Sequence, residues 1–179
     1  KGLCKLDPHE KKFPPPFRST SNPNALNSNF ISSFAEDDDG GIWIGTEGGG
    51  LNYLELKSDH IIQYTNDLTN RNSLSNNYVI DVLVDSKDRL WAGNWSGGLN
   101  LLRKGSANFE HFTFHPDSSN GPANNDIIAI CEDQKGRIWM SCFGMGLDCL
   151  DPVSMSFTHY SSMEEDDHFI PTKLARSIL

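Results

Sequence analysis

Trp43, Trp91 and Trp139 stand 48 residues apart, and this spacing constrains the fold more than any other feature of the chain. Gly50, Gly98 and Gly146, each followed by leucine, keep the same step, and Gly2-Leu3 lies one step back. Asp37, Asp85 and Asp133 form a further column, as do Asn29, Asn77 and Asn125. Phe13, Ile61, Phe109 and Phe157 align as well, and so do Pro16, Tyr64, Phe112 and Tyr160, with the proline the odd member. The register runs from Gly2 to Leu179 without an insertion. A chain of this kind is built from copies of one supersecondary unit, each of which buries its apolar face only against its neighbours.

One unit reads as four strands. The first appears as FISSFAED (30–37), YVIDVLVD (78–85) and DIIAICED (126–133). These near-continuous apolar runs predict a strand buried on both faces. A polar turn follows, whose fourth position is Gly40, Asp88 or Gly136, residue types that tolerate positive φ in a short hairpin. The second strand is IWIGT, LWAGN or IWMSC; the third is LNYLEL, LNLLRK or LDCLDP; the outer one is IIQYT, FEHFT or FTHYS. Four antiparallel strands with one tryptophan per unit predict an all-β fold, a β-propeller arc of four-stranded blades. Within it, Trp43, Trp91 and Trp139 are expected to pack between neighbouring blades. The glycine-rich GGIWIGTEGGGL (40–51) is followed by a strand, so it reads as a hairpin reversal; a phosphate cradle would lead into a helix.

The repeat also divides the chain. Residues 1–27 are expected to end a preceding blade, with complete blades at 28–75, 76–123 and 124–171 and the first strand of a following blade at 172–179. Four full units need 192 residues, 13 more than the 179 present, and the missing stretch would include a tryptophan-bearing second strand. The expectation is therefore an arc of a larger propeller. Its first partner would be the rest of that propeller, and its exposed blade edges invite self-association. Pro14, Pro15 and Pro16 at an outer strand suit a sheet edge.

Composition excludes several classes. The net charge is −9 and no basic patch is present, which argues against a nucleic-acid partner. The acidic runs at 37–39 and 164–167 read as solvated loops, and the first lacks the ligand spacing of a calcium hand. Cys4, Cys131, Cys142 and Cys149 contain no CxxC pair; their even number permits disulfides without specifying any. No metal site and no cofactor are expected. No apolar run reaches the ~18 residues of a membrane span, so no membrane contact is expected. His111 and His159 share an outer-strand column and read as surface groups. With no nucleophile elbow, the segment reads as non-enzymatic.

The run DQKGRIWMSCFGMGL (133–147), the run GIWIGTEGGGLNYL (41–54) and the asparagine pair opening SNNYVIDVLVD (75–85) resemble the two-component regulator propeller repeat. Val84 where other units have Glu36 and Glu132, Asp88 at the turn, and Ser141-Cys142 in place of Gly-Thr depart from that pattern. The resemblance implies a hybrid two-component sensor of a polysaccharide-degrading gut bacterium. Such proteins carry two seven-bladed propellers in the periplasm, followed by a further β-domain, a membrane helix, a histidine kinase, a receiver and a DNA-binding domain. It therefore implies a periplasmic location, an oligosaccharide ligand, and a relay to a kinase that this chain does not contain.

In a propeller the second-to-third strand turn and the blade-to-blade connection share one face. Sugars favour aromatic platforms flanked by amides and carboxylates. Trp95 breaks the pattern of its column and is the first candidate contact; Asn94, Glu47, Phe143 and Arg71 follow. Two other readings stay open. A protein-interaction propeller would expose an apolar patch on the turn face. A polysaccharide lyase or hydrolase would need close carboxylates in a central cleft, which sequence alone does not locate.

Overall fold

The computed structural model describes residues 24–161. The partial blades expected at 1–27 and 172–179, Cys4 and the acidic run at 164–167 lie outside the described residues, apart from 24–27. Within them the chain forms three four-stranded antiparallel sheets, each in sequence order. The first sheet holds β1 (Ile31–Glu36), β2 (Ile42–Thr46), β3 (Gly50–Glu55) and β4 (His60–Tyr64). The second holds β5 (Val79–Val84), β6 (Leu90–Asn94), β7 (Gly98–Leu102) and β8 (Phe109–Phe112). The third holds β9 (Ile127–Glu132), β10 (Ile138–Cys142), β11 (Gly146–Asp151) and β12 (Ser156–Ser161). The three sheets are the blades of a β-propeller arc.

Local chemistry explains the hairpins. Gly40, Asp88 and Gly136 adopt φ of 78°, 55° and 77°, the left-handed conformation that a tight reversal needs. In the second blade, Asp85 accepts hydrogen bonds from the backbone N–H of Lys87 (2.9 Å) and Arg89 (3.0 Å) and closes the turn. Its second oxygen takes the Trp91 indole N–H at 2.7 Å and the Arg89 guanidinium at 2.7 Å. Asp133 repeats all four contacts in the third blade. The first blade differs: Gly41 stands where Arg89 and Arg137 do, and the Tyr53 phenol fills the space a side chain there would need.

The core lies between blades. Trp91 is fully buried and clusters with Ile127, Ile138, Met140 and Leu150 of the third blade. Trp43 packs in the same way against Leu90 and Leu102 of the second. Trp43 and Trp91 thus each cover the face of the following blade, where a buried aromatic contributes a few kcal/mol through the area it removes from water. The asparagine column makes the second joint. The carbonyl of Asn77 accepts from Gly50 N–H (2.8 Å), and that of Asn125 accepts from Gly98 N–H (2.8 Å). The side-chain oxygens of the same two residues accept from Asn66 and Phe114 N–H, both at 2.7 Å. Each asparagine therefore ties the start of one third strand to the exit from the same blade.

The first strands were read as buried on both faces. β5 and β9 are buried or half-buried throughout, with Val82 and Ile130 6% and 7% exposed. β1 alternates between half-buried and exposed, and Phe34, in the same column, is 66% exposed, because no described blade stands before it. The first strands are the inner edge of each sheet, and they converge on one another. Asp81 of β5 accepts from Ser33 Oγ (2.6 Å) in the first blade and from Ile130 N–H (2.8 Å) in the third. One carboxylate joins three blades.

Candidate functional site

The second-to-third strand turns lie at the end of the blades where the connections enter. The backbone N–H of Glu47, Trp95 and Phe143 donates to the carbonyl of Phe30, Tyr78 and Asp126 respectively, each at 2.9 Å. Two of the expected site residues meet on this face. Trp95 (42% exposed) and Phe143 (44% exposed) belong to neighbouring blades, and their ring centroids are 5.5 Å apart at a 56° tilt. That separation suits a tilted aromatic pair. The pair leaves open ring surface on the turn face, held from below by fixed backbone. Asn124 Nδ2 donates to the Phe143 carbonyl at 2.8 Å. Asp126 Oδ1 accepts from Ser96 N–H at 2.6 Å, latching the Trp95 turn to the next blade.

The other expected residues are placed differently. Glu47 is exposed and occupies the same turn position as Trp95, one blade earlier. Asn94 is fully buried and does not reach the surface. Its Nδ2 donates to the Asn76 carbonyl (2.5 Å), and its Oδ1 accepts from Asn100 Nδ2 (2.6 Å), so both ends of the amide are engaged inside the blade. This corrects the reading of Asn94 as a ligand contact: it shapes the turn that presents Trp95. Arg71 is exposed on the connection that runs along the outer strand β8, where the neighbouring Asn72 carbonyl accepts from Phe109 N–H at 2.8 Å. It lies at the outer rim, away from the Trp95–Phe143 pair.

Three residues of the face were not foreseen. Tyr78 (54% exposed) leans over the Gly48 turn of the preceding blade, and Met145 (36% exposed) shares the Phe143 turn. Asp126 supplies a carboxylate beside them. For Tyr78 and Asp126 the signal was present in the column that precedes each first strand, which reads Phe30, Tyr78, Asp126; for Met145 it lay in the column where the other blades have Gly49 and Gly97.

A buried polar site stands behind this face in the third blade. Asp148 is 1% exposed and accepts from Ala123 N–H (2.6 Å) and from the Cys142 thiol (3.0 Å), and contacts His159 Nδ1 at 2.8 Å. Burial first, and then the charge of Asp148, pushes the Cys142 thiol far above its ordinary value, so it is an inert donor. In the second blade the equivalent Asn100 accepts from Ser75 N–H at 3.0 Å. In the second and third blades this column thus docks the incoming connection onto the third strand, whereas Asn52 in the first blade makes no such bond. Cys131, Cys142 and Cys149 form no disulfide with one another. Among the described residues, no cluster of three or more His, Cys, Asp or Glu is arranged to hold a metal ion.

The profile of the two component regulator propeller family matches residues 25–48, 73–96 and 121–144, once in each blade. The chain carries two component regulator propeller repeats. Each match begins in the incoming connection and runs through the first two strands to the turn that bears Glu47, Trp95 or Phe143. The propeller resembles the extracellular domain assigned to a hybrid two component system of B. thetaiotaomicron, with a TM-score of 0.69 and 23% identity over 75% of this chain and 19% of that one. It also resembles PorZ, a surface component of the type-IX secretion system of Porphyromonas gingivalis (TM-score 0.62, 13% identity, 86% of this chain and 22% of that one). A third likeness is to virginiamycin B lyase from Staphylococcus aureus (TM-score 0.56, 16% identity, 74% and 41%). At these identities the likeness is one of fold, shared by sensors, surface components and enzymes. The chain spans about a fifth to two fifths of the length of these proteins. No curated protein sequence is significantly similar to it. Among the described residues, no helix is long and apolar enough to cross a membrane.

Proposed function

We propose that this propeller arc belongs to the periplasmic sensor region of a hybrid two-component signalling protein. It contributes a carbohydrate-binding surface and relays occupancy to a histidine kinase elsewhere in the parent. The observation that carries the reading is the Trp95–Phe143 pair: two partly exposed rings 5.5 Å apart across a blade boundary, on the face where the turns and connections meet. Aromatic faces stack against the C–H surface of a sugar ring, while Glu47 and Asp126 on the same face offer acceptors for hydroxyl groups. A site that straddles two blades also suits signalling, because a ligand that touches both biases their relative placement. The regulator-propeller repeats support the signalling assignment. The segment acts as a binding module and not as an enzyme.

The complete parent ectodomain, titrated calorimetrically against plant and host oligosaccharides, tests this. Saturable binding without product, abolished by Trp95→Ala, supports the sensor. Binding with product release would instead identify a lyase or hydrolase. A second reading has its own support: Tyr78, Trp95, Phe143 and Met145 are all exposed and apolar on one face, which suits a protein partner. An absence of heat with every glycan, together with capture of a defined protein that Trp95→Ala releases, would favour that reading.

A further inference from the structure

The opposite end of the blades holds a cleft that the turn-face reading does not use. It lies between the first and second blades, has a volume of about 330 Å³, and is floored by Trp43, Tyr53 and Tyr64. The volume falls within the ~300–1,000 Å³ usual for small-molecule sites. The rings form a contiguous surface, with Trp43 to Tyr53 at 4.6 Å and Trp43 to Tyr64 at 5.5 Å between centroids. Over the rim, Lys104 Nζ bridges Asp39 Oδ2 (3.0 Å) on the first blade and Asp88 on the second.

The repeat explains why the cleft exists. Between the second and third blades the corresponding space is filled. There Arg89 stacks on Trp91 with its guanidinium carbon 5.5 Å from the ring centroid and reaches the Pro152 carbonyl at 3.5 Å. Met155 packs onto the same cluster, and Trp91 is fully buried. Between the first and second blades, Gly41 stands in the Arg89 column and Ala107 in the Met155 column. Two small residues thus uncover Trp43, which is only partly buried. The named residues of both walls belong to described blades.

We infer that this cleft is a second binding site, for a single neutral pyranose ring. A flat ring with one apolar face fits an aromatic floor, and the rim supplies both acceptors and an ammonium donor for its hydroxyls. Charge selects against acids. Asp37, Asp39 and Asp88 line the cleft against Lys104, and Arg103 is already held by Glu110 at 2.5 Å. The remaining field is acidic and repels a uronate or a sulfated sugar. The site is separate from the turn face and does not depend on it.

Ala107→Met is the decisive variant, because it installs the residue that closes the next interface. The 179-residue chain and its Ala107→Met and Lys104→Gln variants would be titrated with the methyl β-pyranosides of glucose, galactose and xylose and with methyl glucuronide. Tryptophan fluorescence and saturation-transfer NMR would be the readouts. At least one neutral glycoside should bind saturably. Ala107→Met should weaken it at least tenfold without lowering the melting temperature, and Lys104→Gln should weaken it several-fold. The glucuronide should not bind. Failure of all neutral glycosides, undiminished binding in Ala107→Met, or equal binding of the glucuronide would each overturn the inference. If Ala107→Met fails to fold, full binding by Lys104→Gln overturns it and a several-fold loss supports it.

Discussion

Asp85→Ala should unfold the propeller arc far more readily than the same change at Asp133. The two aspartates make the same four hydrogen bonds, so any difference measures burial alone. The Asp85 side chain has no exposure, and its partner Arg89 retains 14%. Alanine would strand the Trp91 indole N–H in a fully buried cluster and leave the Arg89 cation with no counter-ion. A stranded buried donor costs about 1–3 kcal/mol, and one orphaned partner of a buried ion pair about 3–5 kcal/mol. The two penalties share atoms and do not add, so the expected loss is about 3–5 kcal/mol. Asp133 keeps 23% of its side-chain exposure and Arg137 keeps 38%, so water replaces much of what Asp133→Ala removes and its loss is smaller. Asp85→Asn sharpens the test. Its oxygen can still accept from the hairpin amides, but its NH2 then faces two donors, and it should recover less than half of the loss. Urea denaturation followed by tryptophan fluorescence reads all three variants. Equal losses at the two positions, or an Asp85→Asn variant as stable as the parent, would refute the reasoning.

Other outcomes follow from the same contacts. Asn52 is fully buried with both ends of its amide unpartnered, whereas Asn100 bonds Ser75, Ala92 and Asn94; Asn52→Leu should therefore change stability by less than about 1 kcal/mol, and Asn100→Leu should cost about 2–4 kcal/mol by urea midpoint. Gly98→Ala meets both a φ of 69° and the Phe112 carbonyl and should cost more than 2 kcal/mol, roughly, while Gly105→Ala, with a φ of 76° and open space around it, should cost about 1 kcal/mol. Burial, followed by the hydrogen bond to Asp37, pushes the Tyr53 phenol up to about 12, so ultraviolet titration should find one tyrosine that ionises well after the ordinary value of about 10. Because this pKa is raised, its stabilising contribution is complete below pH ~10 and is lost as the pH climbs through the folded value. Asp133 behaves oppositely. The Trp139 indole, then the Arg137 guanidinium and hairpin amides, hold its carboxyl well below the usual range. Its contribution is present above pH ~3.9 and fades as the pH falls toward the folded value, so Asp133→Asn should flatten the acid limb of stability.

What could be read from the sequence was what recurs. The hairpin position shared by Gly40, Asp88 and Gly136 takes positive φ in all three blades, and the tryptophan column faces the next blade where that blade is described. A column seen three times averages over its neighbours and reports the environment they have in common. What stayed hidden was set by those neighbours. Asn94 shares a column with Thr46 and Cys142, and all three are fully buried; what Asn100 sets is the hydrogen bond that engages its amide oxygen. Phe34 reads as a core residue, as its column partners Val82 and Ile130 prove to be, and it is exposed only because no described blade stands before β1. The compensations between columns were legible in principle. The cross-strand partner of Trp91 is Leu101 and that of Trp139 is Cys149, while that of Trp43 is Tyr53; where Gly41 replaces the arginine of the other two blades, a larger side chain stands on the third strand beside it. That exchange keeps the hairpin packed, but it leaves the guanidinium's place above the tryptophan unfilled, and no larger residue compensates at Ala107. Drift within a repeat normally restores volume, because a void forfeits contacts on every side. A blade interface that gives up volume in two columns at once, and lines the opening with three aromatic rings, is thus the departure from the repeat that most calls for a ligand.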